Sequence, residues 1–185
     1  FSFNLGQPLG NRQHRAPIYF AALCLLVGAR LSVTSEGILY RAGIVDWHEG
    51  TFIEYFAFYL AVPTFMLFLR SLYPNETHRM VVRLCIVVGV LGALLVIVLP
   101  VFYYARTLLV FQAWAGIIIL YFAVTIARAV INRRPEAAGM MLGGLVLGAT
   151  TINDMLFAMR AAETIYVVPG GLFFFFFSQA FVLSR

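Results

Sequence analysis

The chain has 185 residues, of which 62% are hydrophobic and only 11% charged, with a mean hydropathy of +0.91. A soluble domain draws roughly a quarter of its residues from the charged set, so this composition excludes an ordinary globular domain with a polar surface. The formal charge is +5 and every basic residue is arginine. These arginines lie mainly between apolar runs and never alternate with aromatics as a nucleic-acid face would, so they read as orientation signals at a lipid bilayer.

Residues Phe1 to Gly10 are apolar at first and then turn-like at Gly6, Pro8 and Gly10. They lack the charged start and apolar core of a signal peptide. They read instead as the end of a preceding helix and its loop. With no initiating methionine and an abrupt stop at Phe181 to Arg185, the chain is expected to be cut from a longer protein at both ends.

Residues 11–185 read as one transmembrane helical domain. A spanning helix needs about 20 mostly apolar residues. Six stretches qualify, roughly 16–34, 51–72, 80–100, 107–131, 137–158 and 165–184, which makes the expected fold an all-α polytopic transmembrane bundle. The first follows the basic segment Asn11 to Arg15, with Pro17 suited to its opening turn. The second carries Pro63 in its interior, where the missing N–H predicts a kink. Pro74, Pro100, Pro135 and Pro169 fall at or near segment ends, as helix breakers do.

Alternating the linkers tests the positive-inside rule. One set holds Arg12, Arg15, Arg70, Arg79, Arg83, Arg128, Arg133, Arg134 and Arg185. The other holds only Arg41, Arg106 and Arg160, with Glu36, Asp46, Glu49 and Glu163. The first set is therefore assigned to the cytoplasm, so the last helix runs inward and delivers the C-terminal end there.

Charges inside a span are costly, about 2.5–3.5 kcal/mol at a helix centre, and call for partners or water. Arg30, Glu54 and Asp154 stand out, and counting rise along their helices puts all three at one level in the outer part of the bilayer. They read as a structural ion-pair clamp, as a polar floor (with Asn153) for an extracytoplasmic ligand, or as charges that simply reach interfacial water. Tyr55, Tyr59 and Gln112 add polar atoms nearby. Gly139, Gly143, Gly144 and Gly148 on the fifth span, and Gly89 with Ala93 on the third, form small-residue stripes that let helices approach closely. Packing inside the bundle is the first reading of these stripes, and a homodimer seam the second. The run Phe173 to Phe177 presents no single face, so lipid contact and core packing share it.

Catalytic groups do not converge. His14, His48 and His78 lie in separate linkers on both sides of the membrane, and Cys24 and Cys85 sit within apolar runs as small hydrophobes. No metal, cofactor or catalytic residue is expected, and this chain is not read as an enzyme.

The final spans carry more specific signals. Thr151-Ile152-Asn153-Asp154-Met155-Leu156-Phe157, Tyr166 to Gly171, and Phe173 to Arg185 with Ser178-Gln179-Ala180-Phe181 resemble the end of a bacterial family. That family is the seven-transmembrane receptors with diverse intracellular signalling modules. Arg15 to Arg30 resembles its second helix, and Glu54 to Pro63 with Phe68 to Pro74 its third. The resemblance implies that Phe1 to Gly10 ends helix one and that helices two to seven follow. It also implies an extracytoplasmic sensing domain before the bundle and a cytoplasmic output after it, such as a nucleotide cyclase, kinase or phosphatase. The flavour of the sequence is nearest to members ending in an adenylate cyclase. The expected function is a receptor domain of the bacterial inner membrane that relays an outside signal through its last helix. A transporter or channel subunit is the alternative, and a purely structural subunit the third.

Overall fold

The computed structural model describes residues 15–34, 38–134, 137–158, 165 and 167–183. The expectations for Phe1 to Gly10, for the linker at 159–164 and for Arg185 lie outside the described residues. Among the described residues the chain is helical, with turns and no strand.

In chain order the helices are α1 (Ala16–Thr34), α2 (Ile38–Arg41), α3 (Trp47–Leu72), α4 (Arg79–Val98), α5 (Val101–Ile131), α6 (Ala137–Ala158) and α7 (Val168–Leu183). Four of the described segments are long and apolar enough to cross a membrane: Ala16–Thr34, Trp47–Leu72, Arg79–Val98 and, within α5, Val110–Ile131. Shorter apolar stretches, Ala137–Thr150 and Val168–Phe181, occupy α6 and α7.

Boundaries follow local chemistry. The first helical turn of α3 precedes the apolar run because Asp46 donates its N–H to the Glu49 carboxylate at 3.2 Å, satisfying an otherwise orphaned donor. At α4 the ring nitrogen Nδ1 of His78 accepts from the Met80 N–H at 3.3 Å. Pro100 separates α4 from α5, and α5 starts directly after it, so the helix takes in Tyr103, Tyr104 and Arg106 that polarity alone assigns to a linker.

The outward surface of α4 shows why water is not its solvent. Leu84, Val87, Leu91, Leu94 and Val98 are exposed, while Val82, Cys85, Gly89, Gly92, Ala93 and Val96 are buried. A helix apolar on both faces suits lipid on one side and protein on the other.

The chain divides into two compact units, Phe1–Gly116 and Ile117–Arg185. In the first, α1 packs on α3 and α3 on α4. Its core gathers Tyr59, Ala93, Val96, Tyr104 and Phe111, with Tyr55, Phe58 and Trp114 against it. In the second, α6 packs on α7. The phenylalanine run of α7 divides there: Phe175 is buried, whereas Phe173 and Phe177 are exposed.

Candidate functional site

Within the first unit, the antiparallel pairing of α1 and α3 brings Phe20 onto Phe68 at one end and Arg30 onto Glu54 and Phe58 at the other. The Arg30 Nη2 lies 4.0 Å from the Glu54 Oε1, and its guanidinium carbon lies 4.3 Å above the Phe58 ring. Both charged side chains keep about a third of their surface accessible, 34% and 31%. The arrangement spreads one cation between a carboxylate and an aromatic face, one helical turn apart on α3. Sequence alone selected Arg30 and Glu54; Phe58 follows from Glu54 by four residues but carries no signal of its own.

Next to this pair a polar thread crosses the aromatic core. Thr107 donates to the Tyr104 carbonyl at 2.7 Å, which leaves its hydroxyl oxygen to accept from Tyr59 at 2.6 Å. Tyr59 is 1% exposed, so its hydroxyl needs such a partner. Its ring sits edge-on to Phe111 at 4.4 Å, and Tyr55 meets Tyr104 at 5.1 Å. Gln112 points elsewhere and is exposed on α5.

Tyr59 also explains the glycines of α4. Pro63 has no N–H, so the Tyr59 carbonyl one turn before it loses its helical partner. A β-carbon at Gly89 would lie 2.7 Å from that carbonyl oxygen and 2.6 Å from the Pro63 Cγ. A β-carbon at Gly92 would lie 2.6 Å from the Tyr59 ring. Glycine lets α4 close over the broken rung, and α3 runs on unbroken from Trp47 to Leu72.

At the same end as the Arg30–Glu54 pair, Val45, His48, Glu49, Phe52 and Ile53 line a surface groove of about 480 Å³. The hydroxyl of Tyr40 on α2 rests against Gly50 of α3.

In the second unit, Asn153 is half-buried and donates through Nδ2 to the Ile165 carbonyl at 2.9 Å, which joins α6 to the chain entering α7. The side chain of Asp154 lies outside the described residues. The glycines of α6 divide by face. A β-carbon on Gly143 would strike the Ser178 hydroxyl and approach Phe175 and Gln179 of α7, whereas one on Gly144 would lie 2.8 Å from Phe122 of α5. Among the described residues nothing comes within 4 Å of a β-carbon at Gly148, and Gly139 is half-buried. Gln179 is wholly buried in this seam. Its Nε2 donates to Ser178 at 3.1 Å, and its Oε1 has no partner among the described residues. Sequence reasoning missed its burial, because a helix apolar all round gives no pattern to say which face turns inward.

No group of three potential metal ligands occurs among the described residues.

Apolar helices of spanning length, with a charged pair held between two of them, define a multi-pass membrane protein. The sequence model of the family described as 7TM diverse intracellular signalling matches residues 4–185, and the chain belongs to that family. Neither the curated proteins nor the solved structures provide a match. Membership gives the chain a membrane signalling role, and a domain of this family is not itself catalytic.

Proposed function

We propose that this domain receives an extracytoplasmic signal and passes it through α7 to a cytoplasmic output module in a bacterial inner membrane. The family match over nearly the whole chain carries this reading. The charge asymmetry of the linkers supports the orientation, with the end of α7 inside. On this reading the Arg30–Glu54 pair, with the shallow surface beside it at Val45 to Ile53, is where an outside ligand or sensing domain acts on α1 and α3. Asn153 and Asp154 are the corresponding polar candidates on α6. Coupling requires two packings that the signal favours unequally, and on this reading α7 moves, shifting its seat on Gly143 through Ser178 and Gln179.

Two measurements on the intact protein test this. Arg30→Ala and Asp154→Asn should each change the signal response while leaving the amount of folded protein in the membrane unchanged. Inserting one residue after Leu183 turns whatever follows by roughly 100° if the helix continues and should alter output, while seven residues should largely restore it. An output indifferent to both the substitutions and the insertion would refute the proposal. Solute flux through proteoliposomes would favour a transporter or channel subunit instead.

A further inference from the structure

The cytoplasm-assigned end of α5 carries a cap that glycine would normally fill. The Arg134 N–H bonds to the Ala129 carbonyl at 2.9 Å and the Arg133 N–H to the Val130 carbonyl at 2.9 Å, the paired bonds of a Schellman turn. The residue at the turn, Arg133, has φ 50°, the left-handed conformation that L side chains disfavour. No other described non-glycine residue has a positive φ. A helix end that keeps arginine where glycine fits better is an outlier that points to a role for an arginine at that place.

That place is set by the rest of α5. Ile117, Leu120, Val124 and Ile131 are exposed, while Ile118, Thr125, Ile126 and Ala129 on the other side are buried. The exposed residues recur at helical spacing and form one apolar stripe along the membrane-spanning part of the helix. Arg128 is exposed on that same stripe, four residues after Val124 and three before Ile131. The apolar span ends at Ile131, and Arg133 follows two residues later, also exposed. Two arginines therefore emerge where acyl chains give way to phosphates. Between Ile117 and Arg134 the sequence has no carboxylate, and the nearest is Glu136.

We propose that Arg128 and Arg133 bind the phosphate of an anionic phospholipid whose acyl chains lie along the exposed stripe of α5. Lipid is the fitting partner because the charge continues a surface that already faces acyl chains, and the guanidinium fork matches phosphate oxygens. The site holds whichever way the domain is oriented, so it stands or falls apart from the signalling proposal.

The test uses the intact protein in nanodiscs of phosphatidylcholine with and without phosphatidylglycerol, with native mass spectrometry counting retained anionic lipid. Arg133→Gly should lower phosphatidylglycerol retention roughly fivefold, and Arg128→Gln with Arg133→Gly roughly twenty-five-fold. Arg133→Lys should keep most of it. In pure phosphatidylcholine, Arg133→Gly should melt no lower than the unsubstituted protein, since glycine suits the turn. Arg106→Gln, near the opposite end of α5, should change nothing. Unchanged retention in Arg133→Gly would overturn the proposal. So would an equal loss in Arg106→Gln or displacement of the lipid by inorganic phosphate.

Discussion

Substituting Gly89 with alanine tests whether α3 and α4 owe their close approach to the rung broken by Pro63. The added β-carbon would lie 2.6 Å from Pro63 Cγ, 2.9 Å from Pro63 Cδ and 2.7 Å from the Tyr59 carbonyl oxygen. All three atoms belong to a proline ring or to backbone, so no side chain can swing aside and the two helices must part. Overpacking of this kind costs about 1–3 kcal/mol. Replacing glycine by alanine inside a helix returns about 1 kcal/mol, so a net loss of up to about 2 kcal/mol is expected. Gly148→Ala is the matched control, because no described atom lies within 4 Å of a β-carbon there and only the propensity gain of about 1 kcal/mol applies. Equilibrium unfolding of the reconstituted protein in mixed micelles, followed by circular dichroism, measures both. If Gly89→Ala gained as much stability as Gly148→Ala, or if Gly148→Ala cost as much as Gly89→Ala, the close-approach argument would be wrong.

Three further outcomes follow from the same geometry. Tyr59→Phe removes one hydrogen bond but leaves Thr107 bonded to the Tyr104 carbonyl, so its cost in the same unfolding assay should be about 0.6 kcal/mol and no more than about 1.7 kcal/mol. A double-mutant cycle of Arg30→Ala and Glu54→Gln should give a coupling of at most about 1 kcal/mol, because the pair is 4.0 Å apart and a third accessible; a much larger value would mean a drier clamp than the one described. Gln179→Met keeps the length of the side chain and removes a buried carbonyl oxygen that has no partner among the described residues. It should unfold no more easily than the parent, with a gain of up to about 1–3 kcal/mol, and a clear loss would show that the amide is fully satisfied.

Much of the bundle was legible because lipid imposes a simple rule of long apolar runs divided by charge. The start of α5 was not, since Tyr103, Tyr104 and Arg106 look like a linker until Pro100 is taken as the breaker and Tyr104 is seen to pack. Arg30 and Glu54 could be singled out because charge is rare inside a span. The Tyr59–Thr107 bond could not, because it joins residues 48 apart and depends on which faces of α3 and α5 meet. The glycines of α6 show the same limit. Gly143 and Gly144 are adjacent, yet a helix turns about 100° between them, so one meets α7 and the other Phe122, while Gly148 meets none of the described residues. Spacing identifies small residues without saying which of them a neighbour occupies.

The carbonyl of Tyr59 gives the seam between α3 and α4 a spectroscopic handle. Relieved of its amide partner by Pro63 and covered by Gly89, it should absorb at higher infrared frequency than the helical carbonyls around it. A single carbon-13 label at that position would isolate its band. Any event that lifts α4 away and admits water would shift the band downward, so helix separation could be followed in the bilayer without attaching a probe.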